Sequence, residues 1–282
     1  MDYIIKLVNK IKDGFTGNRR VAFVFSMIAG FLAHGYGMAN NYMYHDATIL
    51  NELGATFTLG RWALGFAGKL NDLVLGNFNL PYINMVVSLL FIAMSAMNVV
   101  EILEVKNKAT AAFIGALMSV YPVVTSSNAY NFTVLYYFAA LLLVTYAVKV
   151  MKKGASVAGL KPFPVKDTIV AALLLALSAG FYQAYLSVAV TLFLALLILE
   201  LYRENENVVS VLIRGVKYAV SSALGLVFYL VFNKLTMVVM HQSMMAYQGA
   251  EDFGKLEIAK LPGRLVQSYL HFFYIKWKSI HK

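Results

Sequence analysis

An all-α, polytopic membrane bundle of about seven spans, within a range of six to eight, is what this sequence predicts. An amphipathic helix lying in the interface is expected in its first outer loop. Three observations carry that reading. Of the 282 residues, 60% are hydrophobic and only 13% are charged, about half the charge of an ordinary soluble domain. The missing charge is concentrated in long blocks, each the length of one or two membrane crossings. Between those blocks the basic residues collect in alternate loops, on one side, as they do in cytoplasmic loops.

MDYIIKLVNKIKDGF opens the chain, with Ile4, Leu7, Val8 and Ile11 on one helical face and Lys6 and Lys10 opposite. Residues 1–18 therefore read as a cytoplasmic helix lying on the membrane. It has no small-residue cleavage site and is not a signal peptide. Asn18, Arg19 and Arg20 precede the first span, Val21 to Ala39, which only His34 interrupts. A second span falls within the uncharged run Leu73 to Val100, closed by Glu101 and Glu104.

Ala109 to Val148 is free of charge for about forty residues, twice what one crossing needs. Pro122 and the polar cluster Thr125 to Asn128 lie at its middle and mark an outer turn between two helices. A basic loop follows, with Lys149, Lys152, Lys153, Lys161 and Lys166. Thr168 to Leu199 is one overlong helix or a hairpin of two, depending on whether GFYQAY turns. The hairpin keeps Arg203, Arg214 and Lys217 on the side of the other basic loops, where most of the 24 Lys and Arg then lie. A last span covers about Tyr218 to Met240, with Lys234 near its outer end. The transmembrane domain thus runs from 19 to 240, with a first outer loop at 40–79. Residues 241–282 form an outer-face loop and an aromatic, basic segment, LHFFYIKWKSIHK.

Several classes are excluded or disfavoured. The absence of cysteine rules out disulfides and thiolate metal sites. The net charge of +10 reflects cytoplasmic loops and anionic headgroups rather than nucleic acid. No internal repeat marks an inverted-repeat transporter. The spans carry essentially no acids, and only His34 and Lys234 are ionisable within them, so a mid-membrane proton or ion relay is absent. No motif for a metal, a phosphate loop or a nucleophilic triad appears.

Chemistry is thereby directed to the outer loops. On a helical wheel of residues 60–75, Trp62, Phe66, Leu70 and Leu73 share one face, and Arg61, Gly65, Lys69 and Asp72 the next. Trp62 is read as a headgroup-level anchor of a helix along the leaflet. Asp46, just beyond the first span, is either a solvated loop acid or a general base for an incoming hydroxyl. His45 beside it either tunes Asp46 or is simply exposed. Glu52 and Asp72 are weaker candidates for the base.

The order of these pieces resembles a known family. A span, YMYHD, LGRW with an amphipathic stretch, a second span, and later the hairpin ALSAGFYQAYLSVAVTLFLALLI look like the membrane-embedded, serotype-converting glucosyltransferases, Gtr type II-like enzymes. These modify bacterial surface polysaccharides such as O-antigen. The resemblance covers roughly residues 20 to 240. It implies a GT-C type enzyme of the bacterial plasma membrane, amino terminus inside. Such an enzyme moves a sugar from a polyprenyl-phosphate donor to a polysaccharide hydroxyl on the outer face, with no further cofactor assigned.

Carried over, the acid of the first outer loop is Asp46. Relatives pair two acids at this point where the present chain has His45-Asp46, which leaves a single base and no two-carboxylate site. Relatives also carry further spans, so a truncated or minimal member is expected. The departing lipid phosphate needs cations near it. Arg61 is the first choice and Lys234 the second, with Lys255, Lys260 and Arg264 behind them. Tyr182, Gln183 and Tyr185 at the hairpin tip either contact sugar hydroxyls or pack helices. The rival reading is a non-enzymatic protein such as a lipid-sugar flippase or assembly partner, or an inactive fragment of the enzyme.

Overall fold

The computed structural model describes residues 15–40, 56–75, 80–158, 163–202, 207–245 and 258–280. The expectations placed on the amino-terminal helix, on His45, Asp46 and Glu52, and on Lys255 fall outside these residues. The chain divides into two units, Met1–Ser243 and Met244–Lys282. Among the described residues all regular structure is helical, with no strand.

In the first unit the helices are α1 (Gly17–Asn40), α2 (Trp62–Leu75), α3 (Pro81–Ile102), α4 (Lys108–Val120), α5 (Pro122–Asn128), α6 (Val134–Ala158), α7 (Val165–Phe181), α8 (Leu186–Tyr202) and α9 (Val208–Val239). Among the described residues six stretches are long and apolar enough to cross a membrane: α1, α3, α4 with α5, α6, the hairpin tip with α8, and α9. Helix α7 has 17 residues, the lower limit for a crossing. The chain is a multi-pass membrane protein. Leu32, Phe113 and Ile198 are among many large apolar side chains left exposed, which suits contact with lipid tails.

Helices in lipid gain nothing from apolar burial against one another, so close backbone approach through small residues becomes the main device. Helix α1 buries every fourth residue: Ala22, Ser26, Gly30, His34 and Met38. Facing them on α4 are Ala111, Gly115 and Ser119, at the same spacing. A β-carbon on Gly115 would run into the backbone carbonyl of Ala22. Ser26 and Ser119 share a hydroxyl hydrogen bond of 2.5 Å, and His34 Nε2 lies 2.8 Å from the Ser119 carbonyl oxygen. His34 is therefore a satisfied packing residue. Helix α7 uses the same device from both sides, burying Ala171, Ala172, Ala176, Ala179 and Gly180. Gly225 of α9 approaches its backbone, and Ser178 donates to the Ala140 carbonyl of α6 at 2.8 Å.

The run Ala109–Val148 is two helices joined by a turn, as expected, but with an extra joint. Tyr121 is extended (ψ 138°) because the residue before a proline avoids helical geometry, and Pro122 starts the short α5. The turn follows at 129–133 and α6 begins at Val134. The stretch Thr168–Leu199 is a hairpin. Helix α7 stops at Phe181, Tyr182 is extended (φ −157°), and a single 3-10 turn, Gln183–Tyr185, leads into α8.

Ion pairs tie one end of the bundle. Glu101, at the end of α3, receives Arg19 of α1 at 2.9 Å and Lys149 of α6 at 2.7 Å. Lys152 bonds both Glu104 at 2.7 Å and the Ile102 carbonyl at 2.6 Å. Arg214 of α9 meets Glu200 of α8 at 2.8 Å. Helix α9 has 32 residues, about 48 Å. That is longer than the ~30 Å hydrocarbon layer, so its Arg214 turn extends toward the polar side.

The second unit contains a 3-10 turn, Ile258–Lys260, and α10 (Leu261–Ile280). The side chains of residues 259–271, Lys260, Arg264, Leu265, Tyr269 and Leu270 included, are exposed.

Candidate functional site

The segment LGRW folds into a turn followed by a helix start. Gly60 has φ +75°, the left-handed geometry that glycine tolerates best. The Gly60 N–H bonds the Phe57 carbonyl and the Arg61 N–H the Thr56 carbonyl, both at 2.9 Å. This pair of bonds is a Schellman closure. It ends one helical turn and lets α2 begin at Trp62.

Helix α2 then turns one face, mostly small residues with Leu64, against the protein and another apolar face outward. Ala63, Leu64, Gly65 and Gly68 are buried, and Gly65 lies under the ring of Phe57. Phe66, Leu70 and Leu73 are exposed, in keeping with the amphipathic face that the wheel describes. Trp62 departs from it. Its ring packs against Ala176, Ala179 and Tyr229 and lies 5.4 Å from Phe232. A β-carbon on Gly180 would sit 2.5 Å from the indole. Trp62 is a packing residue between α7 and α9, not a headgroup anchor. The wheel missed this because it assumes a helix touching only lipid.

Arg61 points the other way, into an aromatic cluster. Its Cζ stands 5.0 Å from the ring centre of Tyr182 and 6.0 Å from that of Tyr137. Its Nη1 donates to the Tyr137 hydroxyl at 3.2 Å. Tyr137 and Tyr182 lie 4.7 Å apart, and Tyr185 meets Tyr182 edge-on at 5.6 Å. A guanidinium over aromatic faces gains cation–π attraction and is held in one plane. Its Nε is buried with no acceptor among the described residues, as is the indole N–H of Trp62. The unsatisfied Arg61 donor, on a guanidinium with no carboxylate partner among the described residues, makes a place suited to an anionic, oxygen-rich ligand.

Gln183 is engaged differently. Its side-chain amide donates to the Leu59 carbonyl at 2.7 Å and to the Tyr229 hydroxyl at 3.1 Å. The Tyr229 hydroxyl in turn donates to the Gly60 carbonyl at 3.0 Å. The structure thus brings together Arg61, Tyr182, Gln183 and Tyr185 from two segments more than 120 residues apart. It adds Tyr137 and Tyr229, which the sequence reading left among span residues. A tyrosine at the first turn of a span, in NFTVLYYF, was the available signal for Tyr137. None marked Tyr229, since its partners, the Gln183 amide and the Gly60 carbonyl, lie far away in the chain.

Lys234 is exposed on α9, and it makes no hydrogen bond or ion pair with the cluster among the described residues. Asp72 is exposed on α2, about 16 Å along the helix axis from Arg61. Lys69 bridges from α2 to the end of α9, reaching the Met240 sulfur at 3.6 Å and the Phe57 ring at 5.3 Å. Lys260 and Arg264 belong to the second unit.

The fold and the cluster define a polytopic helical membrane protein with a cationic, aromatic site near one end of its bundle. Residues 35–280 match the family model described as Glucosyl transferase GtrII. The chain belongs to this family, and with it comes a glucosyltransferase activity that needs a sugar donor and an acceptor. No curated protein and no solved structure matches the chain.

Proposed function

We propose that the protein is a GT-C type glucosyltransferase of the bacterial plasma membrane, drawing glucose from a polyprenyl-phosphate donor. The acceptor is a hydroxyl of a surface polysaccharide, and the reaction runs on the outer face with the amino terminus inside. The observation that carries this reading is Arg61, half-buried at one bundle end with its Cζ over Tyr182 and its Nε without an acceptor among the described residues. A nucleotide-sugar donor would come from the cytoplasm. The excess of Lys and Arg in the loops at the Glu101 end supports reading that end as the cytoplasmic one.

The chemistry is a single displacement. The acceptor oxygen attacks the anomeric carbon, a new C–O bond forms, and the bond from that carbon to the phosphate oxygen breaks. The hydroxyl proton passes to the Asp46 carboxylate, and the electron pair leaves on the phosphate as a polyprenyl-phosphate anion. Arg61 meets the growing negative charge with its free N–H edge. Tyr182 and Tyr185 offer aromatic faces and hydroxyls to the sugar, and His45, next to Asp46 in sequence, tunes the base. Lys234 supplies a second positive charge on the outer half of α9.

The test is Asp46→Asn, followed by structural comparison of surface glycan from cells carrying wild type, variant or no gene. Loss of glucose from the glycan with normal membrane insertion is expected. Wild-type modification by the variant overturns Asp46 as the base. Glycan that is unchanged by deletion of the gene overturns the acceptor assignment.

A further inference from the structure

A Schellman turn leaves its last carbonyls without partners inside the helix. Here these are the carbonyls of Leu59 and Gly60, directly ahead of Arg61. Both are taken up from elsewhere in the fold: Gln183 donates to Leu59 and Tyr229 donates to Gly60, at 2.7 and 3.0 Å. Gln183 also donates to the Tyr229 hydroxyl, so the three groups form one closed chain. Tyr229 is fully buried, its ring against Ala176 and Ala179. Its hydroxyl in the middle of an apolar helix is tolerated because it is bonded.

The chain of bonds joins three separate segments, and each is adjacent to the candidate site. Leu59 and Gly60 precede Arg61, Gln183 follows Tyr182, and Tyr229 backs Trp62 from α9. The two residues in cation–π contact, Arg61 and Tyr182, are thus the immediate chain neighbours of the two segments that the bonds clamp together. Resting on the reading of Arg61 as a phosphate contact, we infer that Gln183 and Tyr229 form a latch that positions Arg61 over Tyr182. They are positioning residues, which act on the ligand through Arg61. Both amide hydrogens of Gln183 are spent on the latch, to Leu59 and to Tyr229.

The test uses the full chain in lipid nanodiscs with polyprenyl phosphate as the probe. The protein has two tryptophans, so a Trp277→Phe background leaves Trp62 as the reporter of the LGRW segment. Tyr229→Phe keeps the buried ring and removes only the hydroxyl, and Gln183→Met keeps the side-chain length. Each is expected to weaken polyprenyl-phosphate binding about fivefold, the share of one hydrogen bond, and to raise acrylamide quenching of Trp62. In an Arg61→Gln background neither is expected to weaken binding further, because residues acting through a shared partner are not additive. A full multiplicative loss in that background overturns the latch, as does unchanged Trp62 quenching. Wild-type binding by Arg61→Gln alone instead overturns the phosphate contact of the proposed function. The latch is then decided by Trp62 quenching, which requires no ligand.

Discussion

Arg61 and Tyr182 are separated by 120 residues of chain, yet the guanidinium carbon stands 5.0 Å from the tyrosine ring centre. The contact joins the LGRW segment between α1 and α2 to the tip of the α7–α8 hairpin, and it depends on a planar cation. Arg61→Lys keeps the charge but loses the fork and the stacked plane. Polyprenyl-phosphate binding is expected to fall about tenfold, the lower end for a hydrogen bond to a charged group. Tyr182→Ala removes the face beneath it and is expected to cost about threefold to fivefold, whereas Tyr182→Phe keeps it. Equilibrium binding in nanodiscs separates the three.

Gly180 is the space into which Trp62 fits. Gly180→Ala places a methyl group on the indole, and overpacking of this kind costs about 1–3 kcal/mol. A lower melting temperature in detergent and a shifted Trp62 emission are expected together. An unchanged emission spectrum in the Trp277→Phe background contradicts the contact.

Gly115 faces backbone rather than a side chain, so its neighbour cannot turn aside. Gly115→Val is expected to separate α4 from α1 and to break the bonds from Ser119 to Ser26 and His34. The loss of a close backbone contact and two buried polar bonds amounts to about 3 kcal/mol or more. Thermal unfolding in detergent, compared with the lipid-facing control Phe113→Val, measures it. A control that loses as much stability as Gly115→Val refutes the packing argument.

His241 closes α9 in the left-handed region, with φ 51°, and its N–H and that of Gln242 bond the Val238 and Met237 carbonyls. A β-carbon in this geometry costs about 1–2 kcal/mol relative to glycine. His241→Gly is therefore expected to raise stability by about 1 kcal/mol. Glu104, at φ 53°, occupies the same cap position after α3, but Glu104→Gly also loses the bond from Lys152. Its gain is expected to be smaller, and melting both variants side by side tests the difference.

Much of the fold was legible because lipid imposes it. Uncharged blocks must become helices when no water is present to satisfy the backbone, so most of the crossings could be counted directly from composition. The GFYQAY ambiguity resolved as a hairpin, and its break is local: Tyr182 is extended and a 3-10 turn follows it. The joint at Tyr121 was missed because the reading placed Pro122 within the outer turn, where in fact it starts a further helical piece.

The site was legible only in part. Arg61, Tyr182, Gln183 and Tyr185 could be singled out as polar or aromatic residues at loop positions. Tyr137 had only its place in the first turn of a span to mark it, and Tyr229 had nothing, since a tyrosine inside a span looks like any other apolar residue until its hydroxyl has a partner. Trp62 was misjudged for the related reason that a helical wheel shows which residues share a face, not what that face meets.

By itself, then, the sequence determined the helical membrane class, the crossing blocks, the hairpin's existence as one of two options, and the segments where polar chemistry had to collect. These follow from the transfer of side chains and backbone between water and lipid, which depends on composition over short windows. Tertiary structure alone decided that LGRW and GFYQAY meet, that Trp62 turns inward, and that Tyr229 holds the Gly60 carbonyl. Those outcomes depend on close approach through Gly115, Gly180 and Gly225 and on hydrogen bonds to backbone carbonyls. Such geometry exists only once the helices are packed.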